Sequence, residues 1–262
     1  MRTVIKIGTS TLTHPTGNIN IRRVEKLCKT VSDLKNAGNE IILVSSGAIA
    51  MGMGKLKLHH RPTDMPTKQA AAAVGQCELM YSYDRMFGEY NHTVAQILIT
   101  GADLGSDERR NNFGNTVSRL LELSALPIIN ENDTVATDEI SVGDNDRLAA
   151  IVATALSADL LILLSDIEGL YTDDPHKNPN AQIISRVEKI TPEIIALAGG
   201  AGGELGTGGM ATKIAAAGIA TKAGIPMVIA SGESPECLYD IFSGADVGTY
   251  FVGRKDGKSD NS

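Results

Sequence analysis

The chain has 262 residues, a formal net charge of −7, 42% apolar residues and 4% aromatics, with no Trp. That length allows one large α/β domain, or two lobes closing over a cleft, with a sizeable buried core. Scarce aromatics and dispersed Lys and Arg exclude a stacking platform or basic footprint for nucleic acid, so an anionic ligand must be held by a few placed cations and backbone N–H groups.

In chain order, short apolar runs at 3–7, 40–44, 94–98, 127–129, 160–164 and 227–230 read as buried strands. Their near-continuous hydrophobicity predicts a mainly parallel sheet covered by helices on both faces. Between the first two runs, Ile21, Val24, Leu27, Val31 and Leu34 recur at helical spacing, with Asn20 as N-cap and Gly38 as a left-handed stop. Further helices are expected over 67–87, 109–124, 146–157 and 210–223. The expected fold class is α/β, a three-layer αβα sandwich of βαβ units. Residues 199–209 are read as a glycine-rich loop and 254–262 as a polar, frayed tail. Cys28, Cys77 and Cys237 are few, odd in number and far apart, without metal-ligand spacing. No apolar run approaches the roughly 18 residues of a membrane span. A cytoplasmic protein with no membrane or nucleic-acid partner is expected.

In open α/β sheets, ligands bind outside the carboxyl ends of the strands, and four polar or glycine-rich segments fall there. Lys6-Ile7-Gly8-Thr9-Ser10 closes the first run. Its lysine projects over the sheet edge, Gly8 admits close backbone approach, and Thr9 and Ser10 add donors; the plain alternative is an edge lysine and an ordinary turn. After the second run comes Ser45-Ser46-Gly47-Ala48, either a helix N-terminus offering N–H groups to an anion or a simple βα turn. Asn130-Glu131-Asn132-Asp133 follows the fourth run, and Gly143-Asp144-Asn145-Asp146 comes soon after. In this pair of segments Asp133 is suited to accept from an ammonium group, Asn145 to donate to a carboxylate, and Asp146 to orient lysines. Asx-turn and N-cap chemistry is the structural alternative.

Ser165-Asp166 after the fifth run, with the following Gly169–Pro175 stretch, either walls a nucleotide pocket or forms a turn closed by Asp174-Pro175. Finally, Gly206-Thr207-Gly208-Gly209-Met210-Ala211-Thr212-Lys213 enters a helix. Consecutive glycines there expose N–H groups to phosphates, and Lys213 is read as an exposed first-turn lysine reaching the β/γ-phosphates. It is not a Walker A sequence. There is no GxSxG, no Cys–His pairing and no zinc spacing, and His59-His60 is read as surface. Two lysines, amides and carboxylates around glycine turns suit phosphoryl transfer, where positioning and charge stabilisation dominate.

Together, KIGTS, SSGAIAMG, NENDTVATDEISVGDND, LLSDIEGLYTDDP and GTGGMATK resemble the amino-acid kinase family, in order, from Thr3 to about Gly253. The combination is most similar to the branch that phosphorylates the side-chain carboxylate of L-glutamate, the first step toward proline. The resemblance implies a single kinase domain over 1–253, with a glutamate lobe at about 1–150 and an ATP lobe at about 151–253. It implies that Lys6 and Lys213 flank the transferred phosphoryl and that Asp146 holds both lysines. Ser46, Asp133 and Asn145 would hold glutamate. Lys6, Ser165, Asp166 and the run from Thr207 through Gly208, Gly209, Met210, Ala211 and Thr212 to Lys213 would contact ATP, with magnesium held by nucleotide oxygens and water. Proline as feedback inhibitor, a homo-oligomer and a downstream reductase as partner are implied as well. Competing readings are another acceptor (aspartate, N-acetylglutamate, carbamate or a nucleoside monophosphate) and a non-catalytic sensor of the same fold. His176 stands where members often carry Arg, and the nine residues after Gly253 lead to the expectation that an appended PUA domain is absent.

Overall fold

Apolar strands with small connecting turns leave few ways to bury both faces of a sheet, and the chain takes the expected one. The structure, a computed structural model, describes residues 1–135, 145–175, 177–200 (199 and 200 by backbone alone) and 209–254. Among them β1 (Arg2–Ile7), β2 (Glu40–Ser45), β3 (Val94–Ile99), β4 (Leu126–Glu131), β5 (Leu160–Ser165), β6 (Arg186–Val187), β7 (Met227–Ser231) and β8 (Thr249–Phe251) form one sheet, ordered β3-β4-β2-β1-β5-β7-β8-β6. All neighbours are parallel except β7 and β8. Each of the six expected runs is a strand. The two missed strands hold two and three residues, too short for any periodic signal.

The helices among the described residues are α1 (Thr9–Leu12), α2 (Ile21–Asn36), α3 (Ala48–Leu56), α4 (Met65–Gly88), α5 (Gly101–Gly105), α6 (Asp107–Glu122), α7 (Asn145–Ala155), α8 (Pro192–Gly200), α9 (Met210–Lys222) and α10 (Cys237–Ser243). Helix α2 begins as its sequence dictates, with the Asn20 side chain accepting from the Arg23 N–H at 3.2 Å. Gly38 takes a φ of +91° just beyond its end. Ile21, expected in the apolar stripe, is 61% exposed, because the first turn lies outside the core and burial starts at Val24. Helix α4 starts earlier than expected because the Asp64 carboxylate caps Thr67 N–H at 2.9 Å, with Pro66 fitting the first turn. Helix α8 runs to Gly200, so the segment read as a loop from 199 is still helical at its first two residues. Arg254, assigned to a frayed tail, is tied by its N–H to the Thr221 carbonyl at 2.9 Å. Gly143, Asp144, His176, 201–208 (including Thr207 and Gly208) and 255–262 lie outside the described residues.

Two apolar clusters sandwich the sheet. One combines Val4, Val44, Ile129 and Leu163 with α6, α7 and α9. The other combines Ile5, Ile7, Leu43, Ile128 and Leu164 with α2, α4 and α10. Side chains alternate across a strand. Lys6 therefore shares the face of Val4 and points toward α7 and α9, whereas Ser45 and Asn130 share the face of Leu43 and Ile128 and point toward α4. Register aligns the strand ends: Ile7 lies beside both Ser45 and Leu164 in the ladder.

Helices α3 and α4 pack backbone to backbone. A Cβ on Gly75 would stand 1.7 Å from the Ala48 carbonyl oxygen. Gly75→Ala is expected to destabilise by about 2 kcal/mol or more through overpacking. Gly114→Ala, on α6 with nothing within 4 Å, should be neutral or stabilise by up to about 1 kcal/mol. Urea unfolding of both variants checks the contrast, and equal effects would contradict the packing described.

Candidate active site

The first layer of the site follows from strand parity. Lys6, at the end of β1, enters the α7 side of the sheet, where Asp146 sits in the first turn of α7. Its Nζ lies 2.6 Å from Asp146 Oδ1. From the other side Lys213 of α9 brings its Nζ to 3.1 Å from Asp146 Oδ2, and Thr212 Oγ1 donates to the same oxygen at 3.1 Å. Asp146 is 1% exposed, Lys213 2% and Lys6 7%. Two lysines thus share one buried carboxylate in a trio.

The reading of Lys213 as an exposed lysine is corrected here. The first turn of α9 packs against α7, and the side chain turns inward onto Asp146 instead of outward to water. Gly8 serves the same trio. A Cβ there would press on the Leu164 carbonyl at 3.3 Å and come into ordinary contact with Lys6 Nζ at 3.8 Å.

A cavity of about 540 Å³ opens over this trio. Its one end is bounded by Lys6, Lys213, Ser165 and Asp166, and the Ser165 hydroxyl donates to Asp166 at 2.9 Å. Its other end is bounded by Ser46, Asn130, Glu131, Asp133 and Asn145, together with the first turn of α3. Helix α3 starts from Gly47 at φ +98° with no side-chain cap, so its amino end faces the cavity without a competing side chain. Asn145 does not direct its amide nitrogen outward as expected. Its Nδ2 turns inward, donating to the Ser45 carbonyl at 2.9 Å and to Asn130 Oδ1 at 2.8 Å, with Ser46 Oγ at 3.2 Å.

The structure thus gathers Lys6, Ser46, Asp133, Asn145, Ser165, Asp166 and Lys213 around one space, with Asp146 beneath it. Gly209, Met210, Ala211 and Thr212 form the cap and opening turn of α9 and do not line the cavity themselves. Sequence reasoning missed Arg61 and His59, which line the cavity from the α3–α4 connection. His59 and His60 are exposed, in agreement with the surface reading, but no local pattern places a connection over a distant strand edge. It also missed Gln76 of α4, whose Oε1 accepts from Asn130 at 2.8 Å. The signal was present: Gln76 interrupts the buried stripe of Ala72, Leu79 and Tyr83. Among the described residues no group of three or more His, Cys, Asp and Glu side chains is placed to hold a metal ion.

Burial alone would raise the Asp146 carboxyl, but the adjacent Lys6 and Lys213 ammonium groups outweigh it and hold the carboxyl below its ordinary value of 3.8. A depressed folded-state pKa contributes stability that is present above the ordinary value and lost as pH falls through the folded one. Removing the carboxylate takes a shared partner away from two buried cations, so Asp146→Asn is expected to cost about 3–5 kcal/mol near neutral pH. The deficit relative to the parent should shrink as pH falls below 3.8, which denaturant titrations across that range would measure. A deficit independent of pH would show that the charge is not what stabilises.

A buried carboxylate bridging two lysines lies at the carboxyl edge of a doubly covered parallel sheet, the edge at which such sheets hold ligands. Residues 1–231 match the model of the amino acid kinase family, and the chain belongs to that family. Relatives named glutamate 5-kinase include those of Clostridium perfringens, 52% identical over 97% of this chain and 96% of the relative, and of Clostridium tetani, 54% identical over 95% and 93%. The relative of the same name from Carboxydothermus hydrogenoformans is 54% identical over 97% of this chain but only 68% of its own length. Among solved structures, the carbamate kinase from Giardia lamblia bound to AMP-PNP superposes with a TM-score of 0.68 at 16% identity, covering 96% of this chain and 98% of that one. The UMP kinase from Bacillus anthracis gives 0.64 at 15% identity, covering 98% and 96%. At such identities these two speak for the fold.

Proposed function

We propose that the chain transfers the γ-phosphoryl group of ATP to the side-chain carboxylate of L-glutamate, giving γ-glutamyl phosphate and ADP, the first step of proline biosynthesis. The observation that carries the chemistry is Asp146, buried between Lys6 and Lys213 under a cavity with one end rich in acidic and amide groups. The identity of the acceptor is supported by the relatives at 52% and 54% identity.

In this reading Lys6 and Lys213 sit where the phosphoryl group passes, and their charges offset the negative charge of the transition state. Asp146 fixes both ammonium positions and is no general base. None is needed, because a γ-carboxylate is already ionised at neutral pH. Its oxygen attacks phosphorus in line, the bond to the β,γ-bridging oxygen breaks, and ADP leaves with that electron pair. Ser46, Asp133, Asn145 and the amino end of α3 hold glutamate, with Asp133 receiving its α-ammonium group. Ser165, Asp166 and the α9 entry from Thr207 to Lys213 hold the nucleotide. Magnesium suits oxygen donors and retains water, so nucleotide phosphates rather than a cage of side chains would carry it, supplying further charge neutralisation.

The kinase domain is assigned to 1–253, glutamate lying against the half to about residue 150 and ATP against the remainder. Proline inhibition at the glutamate end, assembly into a homo-oligomer and hand-over of the labile acyl phosphate to a reductase are proposed from the family resemblance. No helix among the described residues is long and apolar enough to cross a membrane, and a cytoplasmic location is proposed with it.

Trapping acyl phosphate with hydroxylamine, from ATP and magnesium with glutamate, aspartate or N-acetylglutamate, tests the reaction. Product from glutamate alone is expected, and product only from another acceptor would overturn the assignment. Asp133→Ala should raise the KM for glutamate by roughly tenfold or more, as expected for losing a charged hydrogen-bond acceptor, with the KM for ATP little changed. A loss confined to ATP would move Asp133 out of the glutamate end.

A further inference from the structure

We propose that Gln76 is a positioning residue: its acceptor takes the amide end that the Asn130–Asn145 pair leaves over, and so keeps that pair in place with the Asn145 carbonyl oxygen toward the cavity. Asn145 then accepts from the α-ammonium group of the amino-acid substrate instead of donating to a carboxylate. The inference rests on the glutamate reading above and extends it to a residue outside the cavity wall.

The two ends of a side-chain amide have nearly the same shape, so its polarity is set by neighbours whose roles cannot be exchanged. Two backbone groups do this here. The Ser45 carbonyl can only accept, and it lies 2.9 Å from Asn145 Nδ2, so the nitrogen end of Asn145 is the inner one. The Glu131 N–H can only donate, and it lies 2.9 Å from Asn130 Oδ1, which fixes the oxygen end of Asn130. The two assignments are independent, yet they agree where the amides meet, Asn145 Nδ2 donating to Asn130 Oδ1 at 2.8 Å. Asn130 must then present its nitrogen to α4, where Gln76 Oε1 accepts at 2.8 Å.

The consequence falls at the cavity. An amide nitrogen carries two hydrogens, and those of Asn145 are directed at Ser45 and Asn130. Its oxygen takes no hydrogen bond among the described residues, and the side chain lines the cavity that Asp133 also lines. Two acceptors, one charged and one neutral, suit a primary ammonium group with its three donors. A dicarboxylate without an amine would leave them unsatisfied.

Gln76 itself is 8% exposed, and its Nε2 has no hydrogen-bond partner among the described residues. Only its acceptor end is used. A buried, idle donor destabilises relative to an apolar side chain of like size, so the acceptor is what the position supplies. Close approach of α4 to α3 at Gly75, the residue before it, brings that acceptor to the strand edge.

The test compares glutamate with glutarate, the same dicarboxylate lacking the amine, in the hydroxylamine-trapping assay. In Gln76→Met the KM for glutamate should rise about tenfold, the scale of one lost buried hydrogen bond. Its kcat, its KM for ATP and the inhibition constant of glutarate against glutamate should stay within about twofold. Gln76→Glu keeps an acceptor for Asn130 and should stay within about threefold of the parent for glutamate. Where Gln76→Met does not fold, Gln76→Leu carries the same expectation. Equal weakening of glutamate and glutarate, or a glutamate KM as poor in Gln76→Glu as in Gln76→Met, would overturn the inference while leaving the glutamate reading intact. A parent protein that yields no trapped product from glutamate would instead defeat that reading, and this inference with it.

Discussion

Asp146 is the point on which the rest of the site depends. Its two oxygens meet two lysines that come from opposite ends of the chain, one on the first strand and one on a helix near the C-terminal end. Both lysines are buried, at 7% and 2% exposure, and both meet that carboxylate, because a desolvated ammonium group needs a partner. The carboxylate in turn is held in its charged form by the lysines against the cost of its own burial. The trio is therefore a structural unit as much as a chemical one, and it fixes the spacing of two positive charges before any ligand arrives. That preorganisation is what phosphoryl transfer requires of a protein.

The sheet turns this local requirement into a site. Because β1 lies between β2 and β5, the chain leaves the centre in one direction and later returns on the other side. The strand ends on either side of β1 thus border one space, the place where open α/β sheets hold ligands. Parity within each strand divides the labour. Residues on the α7 face, such as Lys6, reach the buried trio, and residues on the α4 face, such as Ser45 and Asn130, meet Tyr83 and Gln76. A shift of one residue in any of these strands would exchange the two sets.

Much of this was legible beforehand. Six strands announced themselves as apolar runs, and Asn20 and Gly38 marked the ends of α2 for reasons visible in their side chains. The strand-end segments were found because polar, small and glycine residues beside buried strands have little structural reason to cluster. The misses have physical causes too. Strands of two or three residues carry no period. The early start of α4 came from the Asp64 cap lying ahead of the periodic stretch. Ile21 followed the helical spacing but lay in a turn that the core does not reach.

What the sequence determined by itself was local: which segments are strands, which faces of helices are apolar, and which strand ends carry lysines, amides and carboxylates. Those properties are set by residues a few positions apart. What only the tertiary structure decided was the pairing of groups far apart in the chain. Lys213 is buried because Asp146, 67 residues away, meets it. The Asn145 amide faces inward because a carbonyl 100 residues earlier accepts from it, and Gln76 joins the site through an amide 54 residues later. Burial and hydrogen-bond polarity are properties of an assembled neighbourhood, and they come into being only when the sheet brings those segments together.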